Sequence, residues 1–245
     1  MEPTFSIITV SYNAEETLDI TIRSVLSQTY SQLEYIIVDG ASTDGTSAII
    51  DNYRRDISRV ICEPDKGIYD AMNKGLRAAT GDYVCFLNAG DTFYQTTTIE
   101  KVARSLMMQQ ISPDVIYGDT MIVDKERCFK RMRRLSPPKK LNWKSFKRGM
   151  LVCHQAFFAK RILAEPYDLT YRFSSDFDWC IRVMKKSSSF YNTRAVLVKY
   201  LDEGVTTQNR MESLNERFRI MVKHYGWIST ILYHFWFVLR AVFMP

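Results

Sequence analysis

The stretch "YVCFLNAGDTF", residues 83 to 93, joins an apolar strand pattern to a polar turn. The five apolar residues 83–87 have the length and composition of a buried strand. Asn88, Gly90 and Asp91 follow at once. Because a charged group is costly to bury without a partner, this pattern predicts a ligand site at the end of the strand. A plain turn, in which Asp91 caps the next helix, is the alternative.

Strand patterns of the same kind precede this stretch. Three apolar runs, at 5–10, 35–39 and 59–63, alternate with segments in which apolar residues recur at three- and four-residue intervals, notably 15–28 and 68–80. This alternation predicts an α/β fold with a mostly parallel sheet flanked by helices on both faces. Ligands of such sheets bind beyond the carboxyl ends of the strands, where the polar turn lies.

Composition favours a folded globular protein over a disordered one. Of the 245 residues, 46% are hydrophobic and 24% are charged, which is enough apolar surface for a sizeable core. The five cysteines are scattered and include no C-x-x-C, so we expect free thiols in a reducing compartment, with Cys62 and Cys85 buried. The N-terminus has no pattern of a secretory signal, and we therefore expect a cytoplasmic location.

Two features of the second half indicate a surface for anionic partners. Residues 125–148 contain eleven Lys or Arg and one Glu, and this net +10 exceeds the +6 of the whole chain. Residues 227–245 are apolar and aromatic, which is marginal for a spanning helix of about 20 residues. We expect a helical tail over 206–245 that binds the cytoplasmic face of a membrane peripherally. The alternative is a solvated charged surface beside a buried helix.

Six ordered blocks of the sequence resemble glycosyltransferase family 2, whose inverting members bind nucleotide sugars on a GT-A fold. The blocks read "SIITVSYNAEETL", "SVLSQTY", "EYIIVDGASTDGT", "DKGIYDAMNKG", "GDYVCFLNAGD" and "FSSDFDW". The resemblance covers about residues 4–205, and it is greatest to bacterial enzymes of capsule, O-antigen or exopolysaccharide synthesis. It implies a GT-A domain over 1–205, with a nucleotide-sugar half (1–112) and an acceptor half (113–205).

The resemblance implies a donor-binding set at the carboxyl ends of the first four strands. Its members are Thr9, Tyr12, Asn13, Glu15, Asp39, Lys66, Gly67 and Asn88. For several of them a structural role is the alternative: Asn13 and Glu15 can start a helix, Asp39 can hold a turn, and Lys66 can be solvated. Many relatives have a second Asp where Gly40 stands. UDP is the nucleotide we expect.

The resemblance also implies a metal ligand and a catalytic base. Asp91 takes the place of the carboxylate that binds Mn²⁺ or Mg²⁺ across the donor diphosphate. Asp176 matches the base that removes the proton of the acceptor hydroxyl, with Asp178 as the second candidate and helix capping as the alternative for both. His154 is expected on the acceptor or sugar side of the site, although a purely structural histidine fits the sequence nearly as well.

These expectations describe a metal-dependent inverting glycosyltransferase. Its partners would be a nucleotide sugar, a glycan acceptor, for which a polyprenyl-diphosphate-linked sugar is one candidate, and a membrane surface, but not nucleic acid. A sugar-nucleotide pyrophosphorylase would carry a Gly-rich basic loop after the first strand, and "TVSYNAEE" is not such a loop. A non-catalytic protein on a GT-A-like fold, binding membranes or nucleic acid through its basic segment, is the remaining alternative.

Overall fold

The computed structural model describes residues 2–202 and 210–243, so the predicted boundary between residues 205 and 206 lies outside the described residues. The strands are β1 (Phe5–Ser11), β2 (Leu33–Asp39), β3 (Arg59–Cys62), β4 (Tyr83–Phe86), β5 (Thr92–Phe93), β6 (Val115–Val123), β7 (Phe129–Met132), β8 (Phe157–Lys160) and β9 (Phe190–Leu201). The helices are α1 (Leu18–Leu26), α2 (Thr46–Asn52), α3 (Ile68–Ala78), α4 (Thr98–Gln109), α5 (Ser175–Lys186), α6 (Arg210–Tyr225) and α7 (Trp227–Phe243).

The nine strands of the described residues form one sheet in the order β3-β2-β1-β4-β8-β6-β9-β5, with β7 paired to β6. The half that begins at β3 is wholly parallel through β4. In the other half β8 runs antiparallel to both β4 and β6, which makes β6 parallel to β4. The carboxyl ends of β1, β2, β4 and β6 therefore lie at one edge of the sheet, where the ligand site was expected.

Alternate side chains of the strands support two separate hydrophobic layers, because successive residues of a strand point to opposite faces. On one face α1, α2 and α4 pack against a layer that includes Phe5, Ile7 and Tyr35. On the other face α3, α5 and α6 pack against a layer that includes Ile8 and Phe86. The predicted α/β fold with a mostly parallel, helix-covered sheet is confirmed for this chain.

The two C-terminal helices pack on the second face. Glu216 of α6 accepts hydrogen bonds from the backbone N–H groups of Arg172 and Phe173, just before α5. At the end of α6, the ring of Tyr225 stacks on Trp143 with centroids 5.5 Å apart. None of the described helices is long and apolar enough to cross a membrane.

One expectation about the cysteines is wrong. Cys85 is buried in β4, as predicted, but Cys62 is exposed at the end of β3. This strand is at the edge of the sheet, so its last residue has no neighbour on one side. None of the five cysteines forms a disulfide.

Candidate active site

Three expected residues from distant parts of the sequence meet at the ligand edge of the sheet. The ring of His154 lies between the other two: Nε2 is 3.5 Å from Asn88 Nδ2, and Nδ1 is 3.2 Å from Asp176 Oδ2. Oδ1 of Asn88 is buried and has no hydrogen-bond partner among the described residues. The loop after β4, the turn before β8 and the start of α5 thus form one polar cluster.

Asp176 lies in the first turn of α5 with 13% of its side chain exposed. Its second oxygen, Oδ1, accepts a hydrogen bond of 3.2 Å from the hydroxyl of Tyr69. Burial raises the pKa of Asp176, but the hydrogen bond and charge of His154 and the charge of Arg217 outweigh it, so the pKa lies below the ordinary value. Asp176 is therefore ionised at neutral pH, and a small part of its side chain reaches solvent.

Asp178 is turned away from this cluster. Its side chain is fully buried, and its oxygens lie 2.6 Å from Arg182 Nε and 2.8 Å from His224 Nε2. Lys223 Nζ is 3.3 Å away. Residues two apart on a helix point to different faces, so only one of the two aspartates can face the site. Asp178 connects α5 to α6, and the geometry favours Asp176 as the candidate base.

Asp91 ends the loop after β4, and its carboxylate is held inside the protein. The residue is 3% exposed. Oδ2 accepts a 2.9 Å hydrogen bond from Gln155 Nε2, and Oδ1 accepts one of 3.1 Å from the backbone N–H of Leu201. Burial raises the pKa of Asp91 to about 6, against the lowering effects of these two hydrogen bonds and of nearby positive charges.

This arrangement does not fit the expected role of Asp91 as the ligand of a divalent cation. Mg²⁺ and Mn²⁺ at nucleotide sites need an accessible carboxylate oxygen beside the phosphates, and both oxygens of Asp91 are covered. The position before it adds no carboxylate: Gly90 has φ +96°, and a Cβ there would lie 3.1 Å from Leu201. Among the described residues, no three His, Cys, Asp or Glu side chains are grouped to hold a metal ion.

Two residues expected to bind the nucleotide are fully buried and hydrogen-bonded within the protein. Thr9 is fully buried, and its hydroxyl accepts a 3.1 Å hydrogen bond from Tyr35 in the neighbouring strand. Asp39 is also fully buried at the end of β2. Its oxygens accept hydrogen bonds from the hydroxyls of Ser11 and Ser42 and from the backbone N–H of Ser42. The turn role considered for Asp39 is thus the one that the structure displays.

Asn13 and Glu15 hold the loop that follows β2. Oδ1 of Asn13 accepts a 2.9 Å hydrogen bond from the backbone N–H of Thr43, and Oε2 of Glu15 accepts one of 2.7 Å from that of Gly45. Tyr12, Asn13 and Glu15 are all exposed, and the exposed fraction of Tyr12 is 64%. Tyr12 is the aromatic residue of the three, so its ring offers a surface for a base to pack on.

Asp65 occupies the space beside Gly40, where many relatives have a second carboxylate. A Cβ at Gly40 would overlap Oδ2 of Asp65 and come within 3.3 Å of the Tyr12 ring. The other oxygen of Asp65 accepts a 2.8 Å hydrogen bond from the backbone N–H of Gly67. Asp65 therefore brings a carboxylate next to Gly40 from the loop after β3.

Lys66 and Gly67 lie at the start of α3, as expected. Lys66 is exposed, and its backbone N–H donates to Asp70 Oδ2. Gly67 is the N-cap residue with φ +114°, and nothing lies within 4 Å of the position of a Cβ. The helix end is therefore open to solvent beside Asp65.

The structure adds residues that sequence reasoning did not assign to the site. Gln155 directly follows His154, and Arg127 belongs to the basic segment, but nothing in the sequence indicated that both would lie near Asp91. Tyr69 lies in the block "DKGIYDAMNKG" but received no role, and Arg217 lies outside the quoted blocks. Nε of Arg217 is buried without a hydrogen-bond partner among the described residues, and its charge acts on Asp176.

Known proteins resemble this chain over most of its length. Residues 6–165 match the model of the family described as Glycosyl transferase family 2. A PGL/p-HBAD biosynthesis glycosyltransferase of Mycobacterium bovis is 33% identical over 219 residues, which are 87% of this chain and 79% of the relative. A putative teichuronic acid biosynthesis glycosyltransferase, TuaG of Bacillus subtilis, is 39% identical over 109 residues, 43% of each chain.

Solved structures share the fold at low sequence identity. Residues 1–349 of S. aureus TarS in complex with UDP superpose with a TM-score of 0.70 at 15% identity, covering 91% of this chain and 66% of that one. The mannosyltransferase PcManGT of Pyrobaculum calidifontis, in complex with GDP-Man and Mn²⁺, superposes with a TM-score of 0.64 at 18% identity, covering 91% of this chain and 64% of that one. The match of the family model to well over half of the residues decides the assignment: the chain belongs to glycosyl transferase family 2 and is a glycosyltransferase.

Proposed function

We propose that the protein transfers a sugar from a UDP-sugar to a hydroxyl of a lipid-linked glycan, with inversion, in the synthesis of a bacterial surface polysaccharide. The observation that carries this proposal is the cluster of Asn88, His154 and Asp176 at the ligand edge of the sheet. The relatives support the pathway, because their names refer to PGL/p-HBAD and teichuronic acid biosynthesis.

Asp176 is the base of the proposed reaction. The acceptor hydroxyl attacks the anomeric carbon of the donor sugar, its proton passes to a carboxylate oxygen of Asp176, and the bond from that carbon to the UDP oxygen breaks. His154 and Tyr69 each bind one oxygen of Asp176, so they orient the carboxylate, and His154 also lowers its pKa and keeps it ionised. Attack on the face opposite the leaving group gives the inverted product in one displacement.

The nucleoside of the donor binds at the ends of β1 to β3. Tyr12 offers an exposed ring for the base, and Asp65 offers an oxygen at the position of the missing second carboxylate. Lys66, exposed at the start of α3, supplies positive charge toward a phosphate of the donor. TarS, which shares the fold, was solved in complex with UDP, and this supports uracil as the base in our proposal.

The acceptor is proposed to lie at a membrane surface that α7 contacts. Ile228, Ile231, Leu232 and Phe235 are 80%, 54%, 64% and 65% exposed, and their spacing places them on one side of the helix. Lys147 of the basic segment lies 5.9 Å from the ring centroid of Tyr233, which is on the side of α7 that packs against the core, so the basic segment contacts the same helix. A helix with an exposed apolar face and lysines packed against it is suited to a surface of anionic lipids.

The substitution Asp176→Asn tests the proposed reaction. It keeps the shape of the side chain and removes the base, so turnover should fall by at least about a hundredfold while the affinity for UDP changes by less than about twofold. UDP release from a panel of UDP-sugars, with glycolipid extracted from bacterial membranes as acceptor, measures turnover, and calorimetry measures UDP binding. Near-normal turnover of this variant would show that another group is the base.

A further inference from the structure

The turn between β6 and β7 lies at the same edge of the sheet as the loop after β4, because β6 and β4 are parallel. This turn opens the basic segment. Two hydrogen bonds to Asp124 hold its shape. The backbone N–H of Arg127 donates to the carbonyl oxygen of Asp124, and the backbone N–H of Cys128 donates to its side-chain Oδ1. Arg127 itself has φ +65°, which turns the chain back toward the sheet.

The side chain of Arg127 reaches the loop after β4. Its Nη1 donates a hydrogen bond to the carbonyl oxygen of Gly90. The residue is half-buried, and burial lowers the pKa of the guanidinium while the charge of Asp91 opposes this change. No carboxylate of the described residues lies within ion-pair distance of Arg127. Four of the five N–H donors of this guanidinium therefore have no hydrogen-bond acceptor among the described residues.

The loop that Arg127 contacts presents little negative charge to a ligand. It has a neutral amide at Asn88, a glycine at 90, and a carboxylate at Asp91 that is buried under Gln155 and Leu201. Accessible carboxylates in a loop would repel a diphosphate unless a cation lay between the two. This loop presents no accessible carboxylate, so it does not need such a cation. A planar guanidinium matches the oxygens of a phosphate and supplies positive charge by itself.

We propose that Arg127 binds the donor diphosphate at the end of β4 and that donor binding requires no divalent cation. The proposal rests on the proposed function, since it names the group that meets the diphosphate of the same donor. In this arrangement the guanidinium keeps its bond to Gly90, and its remaining donors stabilise the negative charge that develops on UDP as the sugar leaves.

The experiment compares UDP binding in EDTA and in Mn²⁺ by calorimetry. The wild-type affinity is expected to agree within about threefold between the two conditions, and Arg127→Gln is expected to lower it by about tenfold or more in both. Arg131→Gln is the matched control, because it removes the same charge from the same hairpin at an exposed position. It should change the affinity by less than about twofold.

A variant that keeps the charge separates binding from a structural role of the side chain. Arg127→Lys should retain more UDP affinity than Arg127→Gln, and the thermal unfolding midpoint of both is measured alongside. Equal losses in the two variants, or UDP binding that requires Mn²⁺ and ignores Arg127→Gln, would overturn the inference while leaving the proposed function intact. Absence of UDP binding by the wild type in both conditions would overturn the proposed donor and the inference together.

Discussion

The buried carboxylate of Asp91 should make the stability of the fold depend on pH. Burial raises its pKa from the ordinary value of 3.8 to about 6. The folded chain therefore holds this proton more tightly than the unfolded chain does. The stabilisation from the protonated form is complete below about pH 4 and is lost as the pH rises through about 6.

The size of the effect follows from the difference between the two pKa values. A rise of about two units corresponds to about 3 kcal/mol of folding free energy that is absent at neutral pH. Roughly half of it, about 1.4 kcal/mol, is lost between about pH 5 and about pH 7.5. Because Asp91 is only 3% exposed, solvent screening reduces this value little.

The substitution Asp91→Asn isolates this contribution, because asparagine has a similar shape and does not ionise. Urea unfolding, followed by tryptophan fluorescence, gives the free energy of unfolding of both proteins at each pH. The free energy of unfolding of the wild type minus that of the variant should be about 1.4 kcal/mol more positive at about pH 5 than at about pH 7.5, since the contributions of other titrating groups cancel in the difference. A difference that does not change with pH would mean that Asp91 is hydrated when ionised, and the argument against a metal ligand would fail.

Two further predictions concern the C-terminal helices. Replacing Leu232 and Phe235 by lysine should weaken binding to phosphatidylglycerol vesicles at least about tenfold in a sedimentation assay, because each apolar side chain buried in the membrane contributes about 2 kcal/mol. The control is Met108→Lys, at an exposed apolar residue of α4. An equal loss of vesicle binding in both variants would refute a specific membrane-binding face. Asp178→Ala should lower the free energy of unfolding by about 3–5 kcal/mol, because it removes the fully buried acceptor that Arg182, Lys223 and His224 share. Glu165→Gln, at the more exposed partner of the same Arg182, should cost less than about 1 kcal/mol.

The parallel half of the sheet was predictable from the sequence. Buried parallel strands read as continuous apolar runs, and helices that cover them repeat at three and four residues, so β1 to β4 and α1 to α5 are marked by local pattern. Strand β9 is not marked by such a pattern, although with twelve residues it is the longest strand among the described residues. It contains Asn192, Thr193 and Arg194 with irregular pairing to β6, and such a pattern does not stand out from a loop.

The sequence by itself determined the family, the α/β fold, and the segments that meet at the site, because these depend on local pattern and on ordered motifs. Only the tertiary structure decided which way each carboxylate faces. Asp176 is open toward its site, whereas Asp91 is covered by Gln155 and Leu201, 64 and 110 residues away along the chain. Asp178 is paired with His224, 46 residues away. Hydrogen-bond partners at such separations set the exposure and pKa of a buried acid, and no local pattern encodes them.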